Sequence, residues 1–262
     1  MTVTPRLSSS VILLRDLAGG GVEVYMLRRP LASSFAADAC VFPGGALDDA
    51  DSAPRALALA PGLDRAAAAA RLGLDGDEGP VLAAGLHLCA VRELFEEAGV
   101  LLGRVEGRPP EAGDAGALAA ARAALLGGAE VTAVLPRHGL ELAPEQLRYV
   151  AHFITPAGVP RRFDTHFFLA AAPAGQEPVA HPGEAVHGGW HDPGVLLRLH
   201  RDDRTVLMTP TRILLAELAD QPSAAAAAAD LGSRPVADIL FRRGDVVAGR
   251  IPSRLPLPDQ PG

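Results

Sequence analysis

Residues 90–101 read Ala90-Val91-Arg92-Glu93-Leu94-Phe95-Glu96-Glu97-Ala98-Gly99-Val100-Leu101, and the fold turns on this stretch. Leu88, Val91, Leu94 and Phe95 recur at three- and four-residue spacing, while Arg92, Glu93, Glu96 and Glu97 take the other face. That is the pattern of a helix running from about Leu86 to Ala98. Gly99 stands just past its end, where a left-handed residue stops a helix. Residues three and four apart on a helix are neighbours, so Glu93 and Glu97 lie one turn apart with Glu96 beside both. Three carboxylates this close repel one another. Arg92 neutralises one; a hard divalent cation with oxygen ligands, Mg²⁺ or Mn²⁺, would neutralise the rest. The plainer reading is a solvated acidic face, and Glu-Leu-Phe-Glu-Glu alone does not separate the two.

Upstream, residues 9–14 and 22–27 read as strands of a hairpin joined through Leu17-Ala18-Gly19-Gly20-Gly21. A loop through Ser33, Ser34 and Phe35 leads to Val41-Phe42-Pro43-Gly44-Gly45, a short strand running into a glycine turn. Residues 52–85 differ in character, with an alanine-rich helix expected over 65–74. Downstream, helices are expected at Ala115–Leu126 and Pro144–Tyr149, with a short apolar strand near Val131–Leu135 between them. Strands are expected at Arg148–Ile154 and Phe163–Ala171, followed by a loop rich in Pro, Gly and His up to Trp190. A Thr-Pro start predicts a helix over 209–219, with 223–231 continuing it or forming a separate turn.

The 262-residue chain is long enough for a sizeable core. Its net charge of -7 argues against general affinity for nucleic acid or an anionic membrane. All 24 basic residues are arginine, which with the Ala, Gly and Pro excess looks like the coding bias of a GC-rich bacterial genome. Cys40 and Cys89 form no metal-binding spacing or disulfide framework and read as small buried hydrophobes. The N-terminal apolar run is too short for a signal peptide, and no stretch approaches the roughly 18 apolar residues of a membrane span. A cytoplasmic protein, with a homodimer possible, is the expectation.

Pro-Gly-Gly followed by Arg-Glu-Leu-Phe-Glu-Glu-Ala-Gly-Val resembles the Nudix box, G-x5-E-x7-R-E-U-x-E-E-x-G-U with U aliphatic. Arg92, Glu93, Leu94, Glu96, Glu97, Gly99 and Val100 match every fixed position of its second half. The first half departs from the pattern. Six residues after Gly45 comes Asp51 instead of Glu, and residues 52–91, 40 in all, replace the usual seven. The 33 extra residues coincide with the unusual segment at 52–85, and lengthening a loop there costs little. Asp51 is expected to support the site more than to ligate metal.

A split box, the lead-in Leu27-Arg28-Arg29-Pro30 to Gly45 and the later Thr155-Pro156 to Phe168 are similar to the coenzyme A diphosphatase-like Nudix branch. The resemblance implies an α/β fold, a Nudix-type α/β/α sandwich with a mixed sheet and an insertion inside the box. It places the domain at 8–220, with 221–262 as an extension, partly helical and then a loose tail. It implies hydrolysis of a nucleoside-diphosphate derivative, with CoA or acyl-CoA cleaved to a phosphopantetheine product and adenosine 3′,5′-bisphosphate. Glu93, Glu96 and Glu97 would ligate Mg²⁺ or Mn²⁺, with the Gly45 carbonyl a further ligand and Arg92 orienting Glu93. The proton acceptor is Glu93 or a loop carboxylate, for which Glu184 is the candidate. Arg28, Arg29, Arg161 and Arg162 are candidates for gripping phosphate, because guanidinium forks match its oxygens. Their plain alternative is solvation at strand ends. His166, alternating with Phe on a strand, reads as structural. ADP-ribose and NADH remain alternative substrates. A nucleotide-sensing module is the competing class, disfavoured because such modules commonly lose one acid and all three are present here.

Overall fold

The computed structural model describes residues 3–33, 36–183, 185–236 and 238–240. Strands β1 (Arg6–Asp16) and β2 (Val22–Arg28) pair antiparallel with Leu14 opposite Val24, closing the expected hairpin. The glycine strand is interrupted at Phe42-Pro43 into β3 (Ala39–Val41) and β4 (Gly44–Ala46). β4 pairs with β1, setting Gly45 opposite Ser9.

The 33 extra residues fold into helices: α1 (Pro54–Leu57), α2 (Arg65–Leu72) and the opening turns of α3 (Gly79–Ala98). α3 therefore begins two turns before Leu86. Pro80 is tolerated in its first turn, where no intrahelical N–H bond is lost. Gly85, a helix breaker by propensity, sits inside it because any Cβ there would strike Ser52 Oγ.

The chain continues through β5 (Gly103–Val105), α4 (Ala115–Leu126), α5 (Val131–Arg137) and β6 (Leu140–Leu142) to β7 (Arg148–Ile154) and β8 (Phe163–Ala171). Two expectations fail here. Residues 131–135 form a helix instead of a strand, because Val134 and Leu135 bury themselves three and four residues on from Val131. A five-residue apolar run does not display its period. Pro144–Gln146 is a single 3₁₀ turn, and Arg148 and Tyr149 already belong to β7.

The remaining elements are β9 (His187–His191), α6 (Pro193–Arg201), β10 (Val206–Leu207), α7 (Thr209–Leu218), α8 (Ala224–Ser233) and β11 (Asp238–Leu240). α8 is separate from α7, opened by the Ser223 side chain accepting from the Ala226 N–H. The loose tail expected at the end of the 221–262 extension lies outside the described residues.

The sheet runs β10-β3-β2-β1-β8-β7-β11, with β4 also on β1 and β9 on β2. β1 and β8 are parallel while β1–β2 and β7–β8 are antiparallel, so the sheet is mixed. Period-2 alternation splits its side chains into two cores. Val11, Leu13, Tyr25, Leu27 and Phe168 face α3 and the inserted helices; Ile12, Leu14, Val24, Phe167 and Leu169 face α6, α7 and α8. Helices thus cover both faces, the α/β/α sandwich expected. No helix is long and apolar enough to cross a membrane among the described residues. Cys40 and Cys89 are both buried and unpaired.

The insertion is welded to the domain. One Arg71 nitrogen donates to the carbonyls of Tyr149, Gly232 and Arg234, tying α2 to β7 and to the C-terminal end of α8. Leu57, Ala68, Ala69 and Leu72 enter the same core as Leu94. Leu94 is fully buried on the sheet-facing side of α3. Leu94→Ala should lower the unfolding free energy by about 2–5 kcal/mol in urea titration. A loss under about 1 kcal/mol would mean that α3 is not seated on the sheet as described.

Candidate active site

α3 ends where the chain must bury polar groups. Its last four carbonyls have no intrahelical partner, and each finds one elsewhere. Phe95 O accepts from Gly99 N–H, Glu96 O from Arg122 Nε at 3.0 Å, and Ala98 O from Val179 N–H. Glu97 O accepts from both Arg122 Nη2 at 2.9 Å and His181 N–H. Gln176 brackets the next turn, accepting from Leu101 N–H and donating to Leu101 O. Arg122 on α4 and the 176–181 segment therefore clamp the carboxylate end of the helix.

On the side-chain surface, Arg92 is the hub. Its Nε and Nη2 donate to the two oxygens of Asp51 at 2.8 and 2.9 Å; its Nη1 reaches Glu93 at 2.8 Å and Glu96 at 3.2 Å. Asp51 is 2% exposed. It reaches the helix from the third position of a 3₁₀ turn, Asp49–Ser52, that Asp48 opens, and in the capping box the same Asp51 carboxylate accepts the Asp48 N–H. Burial by itself would lower the Arg92 pKa, but the Asp51 bonds and the Glu93 charge overcome it, raise the pKa and keep the guanidinium charged. Burial also pushes up the neighbouring Cys89 thiol, which stays protonated.

The other two glutamates meet the glycine turn. Glu97 accepts the Gly44 N–H at 2.8 Å and is itself buried. Glu93 lies against Gly45 so closely that a Cβ there would fall 2.6 Å or less from its carboxylate atoms. At Gly44, a Cβ would come 2.6 Å from the Ser10 Cα of β1. At Gly44 the obstacle is backbone that cannot yield; at Gly45 it is the Glu93 carboxylate, which a side chain would push away from the turn. The Gly45 carbonyl lies 3.7 Å from Cys89 Sγ.

Gly44, Gly45, Glu93 and Glu97 line an open depression of about 410 Å³ together with Arg29, Pro30, Ser33 and Gly183. Of the four arginines singled out from sequence, only Arg29 is there, its Nε buried without a hydrogen-bond partner among the described residues. Arg28 is held in a two-pronged ion pair with Asp38 at 2.8 and 3.0 Å. Arg162 donates to Thr155 O and Val3 O at the β7–β8 turn, beside exposed Arg161. Glu184 lies outside the described residues; its neighbour Gly183 lines the depression. Phe153 and Phe168 are core residues.

Sequence reading missed Arg122, Gln176 and the Val179–His181 clamp. Nothing local marks them, because their partners are backbone carbonyls on a distant helix. The model of the NUDT19 Nudix domain matches residues 15–217, 203 of the 262 residues.

The chain belongs to the NUDT19 Nudix domain family.

It is a Nudix hydrolase. A NUDIX hydrolase from Alicyclobacillus acidocaldarius is similar in structure at a TM-score of 0.67 and 28% identity, over 89% of this chain and 99% of that one. Acyl-coenzyme A diphosphatase NUDT19 of Gallus gallus is 36% identical over 110 residues, which span 34% of this chain and 28% of that protein's length.

Asp51→Ala removes the two-pronged partner of a buried guanidinium that keeps Glu93 and Glu96. The expected loss of stability is about 3 kcal/mol, the low end for breaking a buried pair. Urea unfolding measures it; a change under about 1 kcal/mol would show that Asp51 does not anchor Arg92.

Proposed function

We propose that this Nudix hydrolase uses Mg²⁺ or Mn²⁺ held by the α3 glutamates to hydrolyse the diphosphate linkage of CoA or acyl-CoA. The products would be a phosphopantetheine species and adenosine 3′,5′-bisphosphate. The observation that carries the reading is the meeting of Glu93 and Glu97 with the Gly44-Gly45 turn in one open depression.

The donor set fits a hard cation. Asp51, Glu93 and Glu96 gather three carboxylates around one guanidinium, Arg92, and Glu97 adds a fourth carboxylate one turn on from Glu93, held by the Gly44 N–H. The two glutamates that line the depression offer only oxygen, the donor type of Mg²⁺ and Mn²⁺. In this reading Glu93 and Glu97 are the principal ligands, Glu96 completes the set and the Gly45 carbonyl is a further candidate. A bound cation would neutralise diphosphate oxygens and acidify a bound water.

The remaining work falls to the chain. Arg92, anchored by Asp51, fixes the Glu93 carboxylate in orientation. The Gly44 N–H does the same for Glu97, so both acids are preorganised. Arg29 supplies a guanidinium inside the depression, where its fork suits a phosphate oxygen pair. Arg28, occupied by Asp38, is assigned to shaping the rim. Arg161 and Arg162 belong to the β7–β8 turn, and a role at the distal end of a long substrate is the one open to them. Glu184 is proposed as the proton acceptor, with Glu93 as the alternative. The CoA preference rests on the family and on the Gallus gallus relative's name.

Glu97→Gln keeps the shape of the side chain and removes its charge. Its turnover should fall at least about a hundredfold, the scale of losing one preorganised electrostatic group, with little change in melting temperature. Wild-type activity in that variant would rule out the ligand assignment. For substrate, CoA, acetyl-CoA, ADP-ribose and NADH incubated with Mg²⁺ should give 3′,5′-bisphosphate from the first two at higher kcat/KM. Faster cleavage of ADP-ribose or NADH would overturn the CoA reading.

A further inference from the structure

A second cluster of ligating side chains sits on the same face of the sheet, away from the glutamates. β7 and β8 bring His152 opposite His166, and Asp164 lies two residues before His166 on the same face of β8. One atom from each of the three lies within 4.8 Å of the others. His152 Nε2 is hydrogen-bonded to Asp164 Oδ1, and His166 Nε2 stands 3.7 Å from that same oxygen. The two imidazoles are stacked, with centroids 4.2 Å apart and planes 16° apart.

We propose that His152, Asp164 and His166 form a binding site for a divalent transition-metal ion, Zn²⁺ by the chemistry of its donors. Two imidazole nitrogens and one carboxylate oxygen are the ligands of three-residue zinc sites, which leave a fourth position for water. Mg²⁺ favours all-oxygen sets, so the two sites sort cations by donor type. As stacked, the two rings do not aim both Nε2 lone pairs at one point, so an ion held by both imidazoles requires one ring to turn about its Cβ–Cγ bond as the metal binds.

The surroundings match that role. Ligating histidines use the other ring nitrogen for a hydrogen bond that fixes the ring, and His166 Nδ1 lies 3.1 Å from Tyr149 Oη. Ser8 Oγ donates to the Asp164 backbone carbonyl, fixing that strand to β1. The imidazoles are buried while the Asp164 side chain is 24% exposed, which opens one side to solvent.

The site is distinct from the one on α3. Gly45, Ser9, His166 and His152 occupy one row across β4, β1, β8 and β7. At about 4.8 Å per strand, His166 is roughly 10 Å from Gly45 and His152 roughly 14 Å. A cation here would staple the β7–β8 hairpin, and the proposal does not depend on the Nudix chemistry above.

Co²⁺ titrated into metal-free protein reports imidazole-coordinated sites by visible absorption. The wild type and E93Q/E97Q should each bind one Co²⁺ in this way, displaced by Zn²⁺, and Zn²⁺ should raise the melting temperature of both. H166Q should weaken binding at least tenfold. D164N, which preserves side-chain volume, provides the same test should H166Q not fold. If the wild type binds no Co²⁺, or the signal vanishes in E93Q/E97Q and survives in D164N, the cluster is a hydrogen-bonded group only and the proposal fails.

Discussion

Glu93, Glu96 and Glu97 crowd one end of a single helix, and like charges at that spacing work against the helix that carries them. The fold answers with one buried guanidinium. Arg92 touches Glu93 and Glu96 directly, and it is held from behind by Asp51. Glu97 is left to the Gly44 N–H. Because that amide belongs to β4, and β4 is fixed by its pairing with β1, the sheet and the helix are locked at the carboxylates. The two glycines follow from the same constraint, since any side chain would separate the turn from the acids or from β1.

Much of this was legible in the chain. The helix, its acid-bearing face, its stop at Gly99 and the hairpin before it all follow from spacing alone, since periodicity and turn chemistry are local. Arg29 could be named but not distinguished from Arg28, because the difference lies in Asp38, which captures one guanidinium and leaves the other facing the depression. Arg122 was invisible for another reason: its partners are main-chain carbonyls, which carry no residue identity. The His152 and His166 pairing depends on the register between two strands, and the irregularity between Tyr149 and Ala151 sets which residue of β7 faces His166. The helix at Val131–Arg137 shows the converse, a short apolar run whose period was too brief to read.

Asp51 explains how a box can be split without being broken. The pattern places an acid six residues after the glycine, and the chain keeps one there, shorter by a methylene, before departing into its extra helices. The departure occurs only after Asp51 has engaged Arg92, so the electrostatic unit is complete on the near side of the insertion. The inserted residues then return as the first turns of α3 itself. They lengthen the helix and widen the layer that covers it.

The burial of Cys40 and Cys89 has a chemical corollary in a chain whose basic residues are all arginine. Thioesters hand their acyl groups to amines and thiols, and guanidinium, charged and delocalised, is a poor acceptor. No lysine amine exists along this polypeptide, and both sulfhydryls are shielded from solvent. An activated carboxylic ester reaching this surface meets no lysine amine and no exposed thiol, the two side-chain types that form lasting acyl adducts.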